Sequence, residues 1–166
     1  DANHPNGWGT ILIGGMRLGG GPYTFKEDFD NNAGTADEQR TFRSSYFILD
    51  ITVPNNPVFL GEFTHDDLGF TTSYPAISRL EATEGFQTPE DDEWFVIVGS
   101  GPTDCDGSSD QGGSVFVYDL NSQQIVLTLA TGEAKAMMAT PVTLDIDLNY
   151  NTELMYIGET YNDVNG

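Results

Sequence analysis

Short runs of β-branched and aromatic residues recur along the chain, and Gly, Asn, Asp, Ser and Pro separate them. Runs of roughly 4–8 such residues between turn residues are typical of strands. The predicted strand segments are GTILIGGM, SYFILDIT, PVFLGEFT, SYPAISRL, EWFVIVGS, GSVFVYDL, QQIVLTLA, ATPVTLDI and ELMYIGE. The one helix-like stretch, GEAKAMMA, is too short to be a stable helix by itself. We therefore predict an all-β protein built of antiparallel hairpins.

Several of these segments resemble one another, and each pair aligns a characteristic residue. The pairs are YFILDI with VFVYDL through Asp50 and Asp119, YPAISRL with TPVTLDI through Pro75 and Pro141, and VIVGS with MYIGE through Gly99 and Gly158. Each repeating unit contains four strands in the same order. A four-stranded repeat of this length is typical of a β-propeller blade.

The repeats divide the chain into an arc of about two blades. Residues 10–64 hold the last three strands of one blade, 74–130 a full blade, and 140–159 the start of the next. A closed propeller needs roughly 4–8 blades. We therefore expect the open faces of the arc to meet more of the same protein, another copy or a filament subunit. Two acidic, polar insertions, 22–44 and 81–93, are interpreted as surface loops.

Charge narrows the choice of partners. The chain carries 26 acids against 6 Lys and Arg, a net charge of −20, which disfavours nucleic acid and anionic membrane surfaces. Hydrophobic residues make up 38% of the chain, enough for a packed core. The single cysteine, Cys105, excludes an internal disulfide and fits either a reducing compartment or a disulfide-poor bacterial surface protein.

The stretch DIDLNYNTE places oxygen-bearing side chains at every second position, namely Asp145, Asp147, Asn149, Asn151 and Glu153. Calcium binds several oxygens at once, and a curled loop lets alternate side chains converge on it. We expect side-chain oxygens from all but Asn151, which would give its backbone carbonyl. Magnesium fits less well, because it keeps its waters. The alternative is a solvated hairpin loop in which Asp and Asn cap backbone amides. The spacing alone leaves both open.

Other candidate chemistry is weaker. DCDGSSD offers Asp104, Asp106, Ser108 and Asp110 at the same spacing, either as a second cation loop or, as we prefer, as a simple turn. Cys105 has no Cys or His nearby in sequence, so zinc is not indicated. His4 and His65 are too isolated to suggest a catalytic pair. The motifs G-x-S-x-G and C-x-x-C-H do not occur.

A longer pattern resembles a known family. The segments GWGTILIGGMRLGGG, SYFILDITVPNNPVFLGEFTHDDLGFTTSYPAISRL, EWFVIVGSG, GGSVFVYDLNSQQIVLTL and DIDLNYNTELMYIGE follow one another in the order found in the C-terminal propeller of the PilC/PilY family. This family comprises type IV pilus biogenesis proteins and tip adhesins. Two departures are the insertion at 22–44 and Glu153, where Asp is commoner.

The resemblance implies a non-catalytic propeller in pilus biogenesis and surface adhesion, with calcium held by the loop that matches 145–153. It implies pilins, minor pilins or the rest of the same protein as partners. It also implies a place at the bacterial surface, at the pilus tip or associated with the outer membrane.

Two alternatives stay open. One is a quinone-dependent dehydrogenase propeller, whose blades share the YDLNS strand-and-turn pattern, although its repeated Trp and Gly signature is not found here. The other is a structural component of a surface filament.

Overall fold

The computed structural model describes residues 4, 7–21, 23–32, 34, 36–80 and 93–161. Thirteen strands lie in this part of the chain: β1 (Ile11–Gly15), β2 (Tyr23–Glu27), β3 (Glu38–Phe42), β4 (Tyr46–Asp50), β5 (Val58–Phe63), β6 (Ala76–Leu80), β7 (Glu93–Gly99), β8 (Ser114–Asp119), β9 (Gln124–Ala130), β10 (Ala136–Met138), β11 (Val142–Leu144), β12 (Leu154–Tyr156) and β13 (Glu159–Tyr161). The all-β prediction is confirmed, and every predicted strand segment contains a strand. No helix in the described residues is long and apolar enough to cross a membrane.

Three antiparallel sheets follow one another along the chain. The first sheet has the order β1-β4-β5, the middle sheet β6-β7-β8-β9, and the last sheet β11-β12. Two smaller pairs, β2-β3 and β10-β13, complete the set. The described residues form no closed ring of sheets, so the propeller and its division into blades stay predictions.

The insertion at 22–44 is not the simple loop that its acidic composition suggested. Its flanks, β2 and β3, pair over five residues each to form a hairpin. Tyr, Phe and Thr in these flanks outweigh the acids, which gather at the tip. The second predicted insertion, 81–93, lies outside the described residues except for Glu93, the first residue of β7.

The first and middle sheets share their irregularities. The pairing of β4 with β5 shifts between Ile48 and Leu49, and the pairing of β8 with β9 shifts between Val117 and Tyr118. These bulges lie at equivalent positions in the two repeats, because each comes shortly before the aspartate that ends its strand. A β-bulge bends and twists a strand locally. The two sheets are therefore copies in detail as well as in strand order.

Asp50 and Asp119 end β4 and β8 in the same way. The Thr52 amide donates to Asp50 Oδ1 at 2.9 Å, and the Asn121 amide donates to Asp119 Oδ1 at 2.8 Å. Both aspartates are buried. Each carboxylate thus stabilises the turn that follows its strand. The predicted equivalence of the two residues is confirmed.

The segments that lead into the middle and last sheets contact each other at an offset of 66 residues. Ser73 Oγ donates to the Ala139 carbonyl at 3.1 Å, and the Tyr74 amide donates to Thr140 Oγ1 at 3.1 Å, each across 66 residues. This is the offset at which the two segments align in sequence. Equivalent positions of neighbouring repeats therefore touch, as they do where repeated units stack on each other.

The middle sheet is covered on both faces. Towards the first sheet lies a buried cluster of Tyr46, Ile48, Phe63, Leu68, Val96, Val98, Phe116 and Tyr118. A second, smaller cluster of Ile97, Val115 and Met138 lies on the other face, with Met155 and Ile157 packed against it. Successive residues of a strand point to opposite faces, which explains why Ile97 lies in a different cluster from its neighbours.

The outward faces of the other two sheets are not covered in this way. Val142 and Tyr156, which lie opposite each other in the last sheet, are both largely exposed. Leu12 and Phe59, which both pair with Leu49 in the first sheet, are exposed as well. Apolar side chains thus face solvent at both ends of the stack of sheets.

Candidate metal site

The loop between β11 and β12 brings its acids together. Asp145, Asp147 and Glu153 each place a carboxylate oxygen within 4.8 Å of the other two. The loop is exposed, apart from half-buried Asp145, Asn151 and Thr152. Three carboxylates at this separation repel each other unless a cation lies among them. Such a group can hold a metal ion.

Two residues of this loop have a left-handed backbone, Leu148 with φ 64° and Tyr150 with φ 73°. This conformation costs roughly 1–2 kcal/mol for a residue with a side chain. It curls the loop tightly enough that the acids face inward, while Ile146, Leu148 and Tyr150 are largely exposed.

Backbone amides occupy part of the cluster. Asp145 accepts from the amides of Asn149 at 3.2 Å and Tyr150 at 2.8 Å, and Glu153 Oε2 accepts from the Ile146 amide at 2.7 Å. Asp147 accepts from the Asn149 amide at 3.2 Å. This is the amide capping of the alternative interpretation. An ionised carboxylate has about four acceptor positions, so these bonds leave room for a cation.

Asn149 and Asn151 play different parts. Asn149 Oδ1 accepts from the Asn151 amide at 2.7 Å. Asn151 Oδ1 is buried and has no hydrogen-bond partner among the described residues. An unsatisfied buried oxygen costs about 1–3 kcal/mol, so it is usually paired with a donor or an ion. The side chain of Asn151 therefore offers a ligand atom, in addition to the carbonyl expected from the sequence.

A second acidic cluster, missed in the sequence, lies at the tip of the β2–β3 hairpin. Its members are Asp28, Asp30 and Glu38, and each places a carboxylate oxygen within 4.8 Å of the other two. The Asn32 amide donates to Asp28 Oδ1 at 2.9 Å and to Asp30 Oδ1 at 2.8 Å, and the Phe29 amide donates to Glu38 Oε2 at 2.9 Å. The same three kinds of bond organise the loop at 145–153: the two bonds from the Asn amide have the same spacing in both loops, and the bond to the closing Glu spans two residues more at the hairpin tip. The signal was DFDNN, which repeats the Asp-x-Asp-x-Asn order of DIDLN.

The stretch DCDGSSD forms a turn. Asp104 Oδ1 accepts from the Cys105 amide at 2.6 Å, and Asp106 Oδ1 accepts from the Ser108 amide at 2.8 Å. Hydrogen bonds from Ser108 lower the pKa of Asp106. Within the described residues, acids gather in threes only in the two clusters above. The side chains of Asp104 and Asp106 thus cap nearby backbone amides, and Cys105 is free and exposed.

The pKa values of Asp50 and Asp119, the buried carboxylates at the strand ends, are both lowered. Hydrogen bonds from Thr52 lower the pKa of Asp50, and His4, whose Nε2 lies 2.7 Å from Asp50 Oδ2, lowers it further. Burial raises the pKa of Asp119, but hydrogen bonds from Ser122 and its neighbour outweigh burial and lower it overall. Both side chains therefore stay ionised and bonded at neutral pH.

Comparison with known proteins finds similarity in both sequence and structure. No family model matches the chain. The chain is 24% identical over 165 residues to the type IV pilus biogenesis factor PilY1 of Pseudomonas aeruginosa (strain UCBPP-PA14). The aligned region covers 96% of this chain and 11% of that protein. It also matches the crystal structure of the Pseudomonas aeruginosa PilY1 C-terminal domain, with a TM-score of 0.61 and 23% identity over 92% of this chain and 25% of that one. The chain thus spans about a tenth of the relative and a quarter of the solved domain. The fold is shared, and the resemblance to the C-terminal domain of the PilC/PilY family is confirmed.

Proposed function

We propose that this chain forms part of a PilC/PilY-like β-propeller that acts in type IV pilus biogenesis and surface adhesion, through binding rather than catalysis. The observation that carries this proposal is the PilY1 match, which runs along 96% of the chain and agrees with a shared fold. The protein would act at the bacterial surface, at the pilus tip or in association with the outer membrane. Its partners would be pilins, minor pilins or the remaining parts of the same protein.

In this proposal, 10–64, 74–130 and 140–159 are successive blades of one propeller. The equivalent bulges in the first and middle sheets support this assignment, as do the contacts between Ser73 and Ala139 and between Tyr74 and Thr140. The exposed apolar faces at both ends are also what an arc of blades would present to its neighbours.

The loop at 145–153 would hold one calcium ion. Asp145, Asp147, Asn149 and Glu153 would supply side-chain oxygens, and Asn151 would supply its carbonyl or its buried Oδ1. A hard cation with oxygen ligands in flexible geometry suits this set, whereas magnesium demands a stricter octahedron. Bound calcium would neutralise the mutual repulsion of the three carboxylates.

Calcium would then stabilise the folded chain. An ion that binds only the folded state shifts the equilibrium by mass action, by about 2.7 kcal/mol at a concentration of 100 times its dissociation constant. Because Thr152 and Glu153 join the loop to β6 and β11 through the carbonyls of Arg79 and Leu144, an ordered loop would also hold the last sheet on the middle one.

Titration calorimetry in calcium-stripped buffer tests the site. Wild type and Asp110→Ala, which changes an acid outside both clusters, should bind calcium with the same heat, and Asp147→Ala should lose that heat. Asp30→Ala accounts separately for any binding at the hairpin tip. If Asp147→Ala and Asp110→Ala bind calcium equally, the loop is a solvated turn.

The pilus role is tested in the source bacterium. A strain that lacks the protein should have few or no surface pili by electron microscopy, and the wild-type gene should restore them. Asp147→Asn should restore them incompletely at low calcium. A deletion strain with normal pilus numbers, normal twitching and normal surface attachment would contradict the proposed function.

A further inference from the structure

The β2–β3 hairpin is an addition that its sheet does not need. β1 pairs directly with β4, ending at Gly15 opposite Tyr46, so the hairpin projects from the connection between two neighbouring strands. The equivalent connection in the middle sheet, residues 100–113 between β7 and β8, contains no strand. The pairing of β1 with β4 therefore does not require the hairpin.

The two faces of this hairpin differ in chemistry. Tyr23 lies opposite Phe42, and Phe25 lies opposite Arg40, so these side chains share one face. The rings of Phe25 and Phe42 meet edge to face with centroids 5.8 Å apart. We call Tyr23, Phe25 and Phe42 the aromatic face. The opposite face carries Thr24, Thr41, Lys26 and Gln39, and the two threonine hydroxyls bond each other at 2.9 Å.

The aromatic face is open to solvent. Tyr23 is 60% exposed, Phe25 48% and Phe42 50%. No third strand among the described residues pairs with β2 or β3. A two-stranded hairpin is marginally stable by itself in water, and a cluster of exposed aromatic rings typically marks an interaction surface. The hairpin thus presents an apolar surface that nothing in the described chain covers.

Charge indicates what would cover it. The turn beyond the aromatic face carries Asp28, Asp30 and Glu38 within 4.8 Å of one another, on a chain with net charge −20. Arg40 lies over the Phe29 ring at 4.3 Å, and its single positive charge is outnumbered by the five acids between residues 27 and 38. An apolar patch that ends in clustered acids complements an apolar patch bordered by Lys or Arg.

We propose that the hairpin is a docking arm for a protein partner that presents an apolar patch bordered by basic side chains. This inference rests on the proposed function for the class of partner, a pilin or minor pilin. The aromatic face would supply the affinity, and the acidic tip would steer the encounter.

The experiment measures binding of the complete protein to the immobilised soluble domains of the major and minor pilins of the same organism, by biolayer interferometry. Phe25→Thr with Phe42→Thr removes the edge-to-face ring pair, which is two of the three rings of the aromatic face, and keeps strand-forming residues. Thr24→Ser with Thr41→Ser is the matched control on the opposite face and keeps the hydroxyl bond. Asp28→Asn with Asp30→Asn tests the tip.

We expect the aromatic-face variant to weaken binding at least about tenfold, since truncated aromatic anchors usually cost that much or more. The control should bind like wild type, and the tip variant should bind more slowly with less dependence on salt. All three variants should melt at the wild-type temperature, because the hairpin lies outside the core clusters.

The failures are distinguishable. If the aromatic-face variant binds a pilin domain as tightly as wild type does, the docking inference is wrong and the proposed function is unaffected. If wild type binds no pilin domain, pilins are not the partner, and the proposal that the hairpin docks them is wrong as well. If hydroxyl-radical footprinting of the complete protein without any partner leaves Tyr23, Phe25 and Phe42 unmodified, the protein itself covers this face and the inference is wrong.

Discussion

Tyr46 links the first sheet to the chain that leads into the middle sheet, and its hydroxyl can be removed without changing its ring. The side chain is fully buried, and the hydroxyl donates to the Ser73 carbonyl at 2.6 Å. Burial raises the pKa of Tyr46 well above its usual value, so the donor proton is present at any ordinary pH. We predict that Tyr46→Phe destabilises the protein through this one bond.

The magnitude follows from what the substitution leaves behind. Phenylalanine keeps the stack on Phe63, with ring centroids 5.3 Å apart, so packing is preserved. The Ser73 carbonyl loses a donor in a buried setting, which costs about 1–3 kcal/mol. In a chain of this size each kcal/mol lowers Tm by about 2–4 °C. A loss near 2 kcal/mol therefore predicts a decrease of about 4–8 °C.

Thermal unfolding followed by circular dichroism measures the decrease. Tyr74→Phe is the matched control, because Tyr74 is largely exposed and the same hydroxyl is removed into solvent. The control should melt within about 1 °C of wild type. If Tyr46→Phe also melts there, the bond to Ser73 contributes nothing net, and the link between the sheets rests on apolar packing alone.

Gly101→Ala should destabilise by more than 2 kcal/mol in urea unfolding, because a Cβ would overlap the Phe70 carbonyl, whereas Gly158→Ala, with no close neighbour, should be nearly neutral; equal midpoints would contradict this packing. Asp119→Asn should reduce stability at pH 7, and the difference from wild type should shrink as the pH falls below about 4: a lowered pKa means that the stabilisation by the ionised side chain is complete above the unfolded-state pKa and is lost as pH falls through the folded-state pKa. A constant difference in urea midpoint would refute that account. Glu153→Gln should melt at or above wild type without calcium, because it removes two repelling pairs of roughly 1 kcal/mol each in water, and below wild type in excess calcium; curves that do not cross would argue against a shared cation.

The strands were predictable because the apolar alternation is strong wherever one face is buried, as in YFILDI and VFVYDL. Four strands escaped, namely the pairs β2-β3 and β10-β13. β2 and β3 were not predicted because the acids between them dominated the composition of residues 22–44. The β-forming residues of the two strands were therefore overlooked. In GEAKAMMA, a helix-like composition gives way to β10, because Met138 packs with Ile97 and Val115 and pairing with β13 satisfies its backbone.

The candidate site was predictable in part for a similar reason. Alternate acids in a short loop must converge when the loop curls, so the grouping of Asp145, Asp147 and Glu153 followed from spacing. The burial of Asn151 Oδ1 could not, because it depends on tertiary packing around the loop. The cluster at the hairpin tip escaped because its closing acid, Glu38, comes later after Asp28 than Glu153 does after Asp145.

The bonds that join equivalent positions 66 residues apart also bear on the order of folding. Every pairing within the middle sheet joins strands that are adjacent in sequence, so this sheet can form as soon as residue 130 has been synthesised. The next segment then binds to residues that flank this sheet. Ser73 Oγ donates to the Ala139 carbonyl, and the Ser100 carbonyl accepts from the Met138 amide. Local contacts generally form faster than distant ones. In pulsed hydrogen exchange, the amides of β7 and β8 should therefore gain protection before those of β12, and each completed sheet would guide the assembly of its successor.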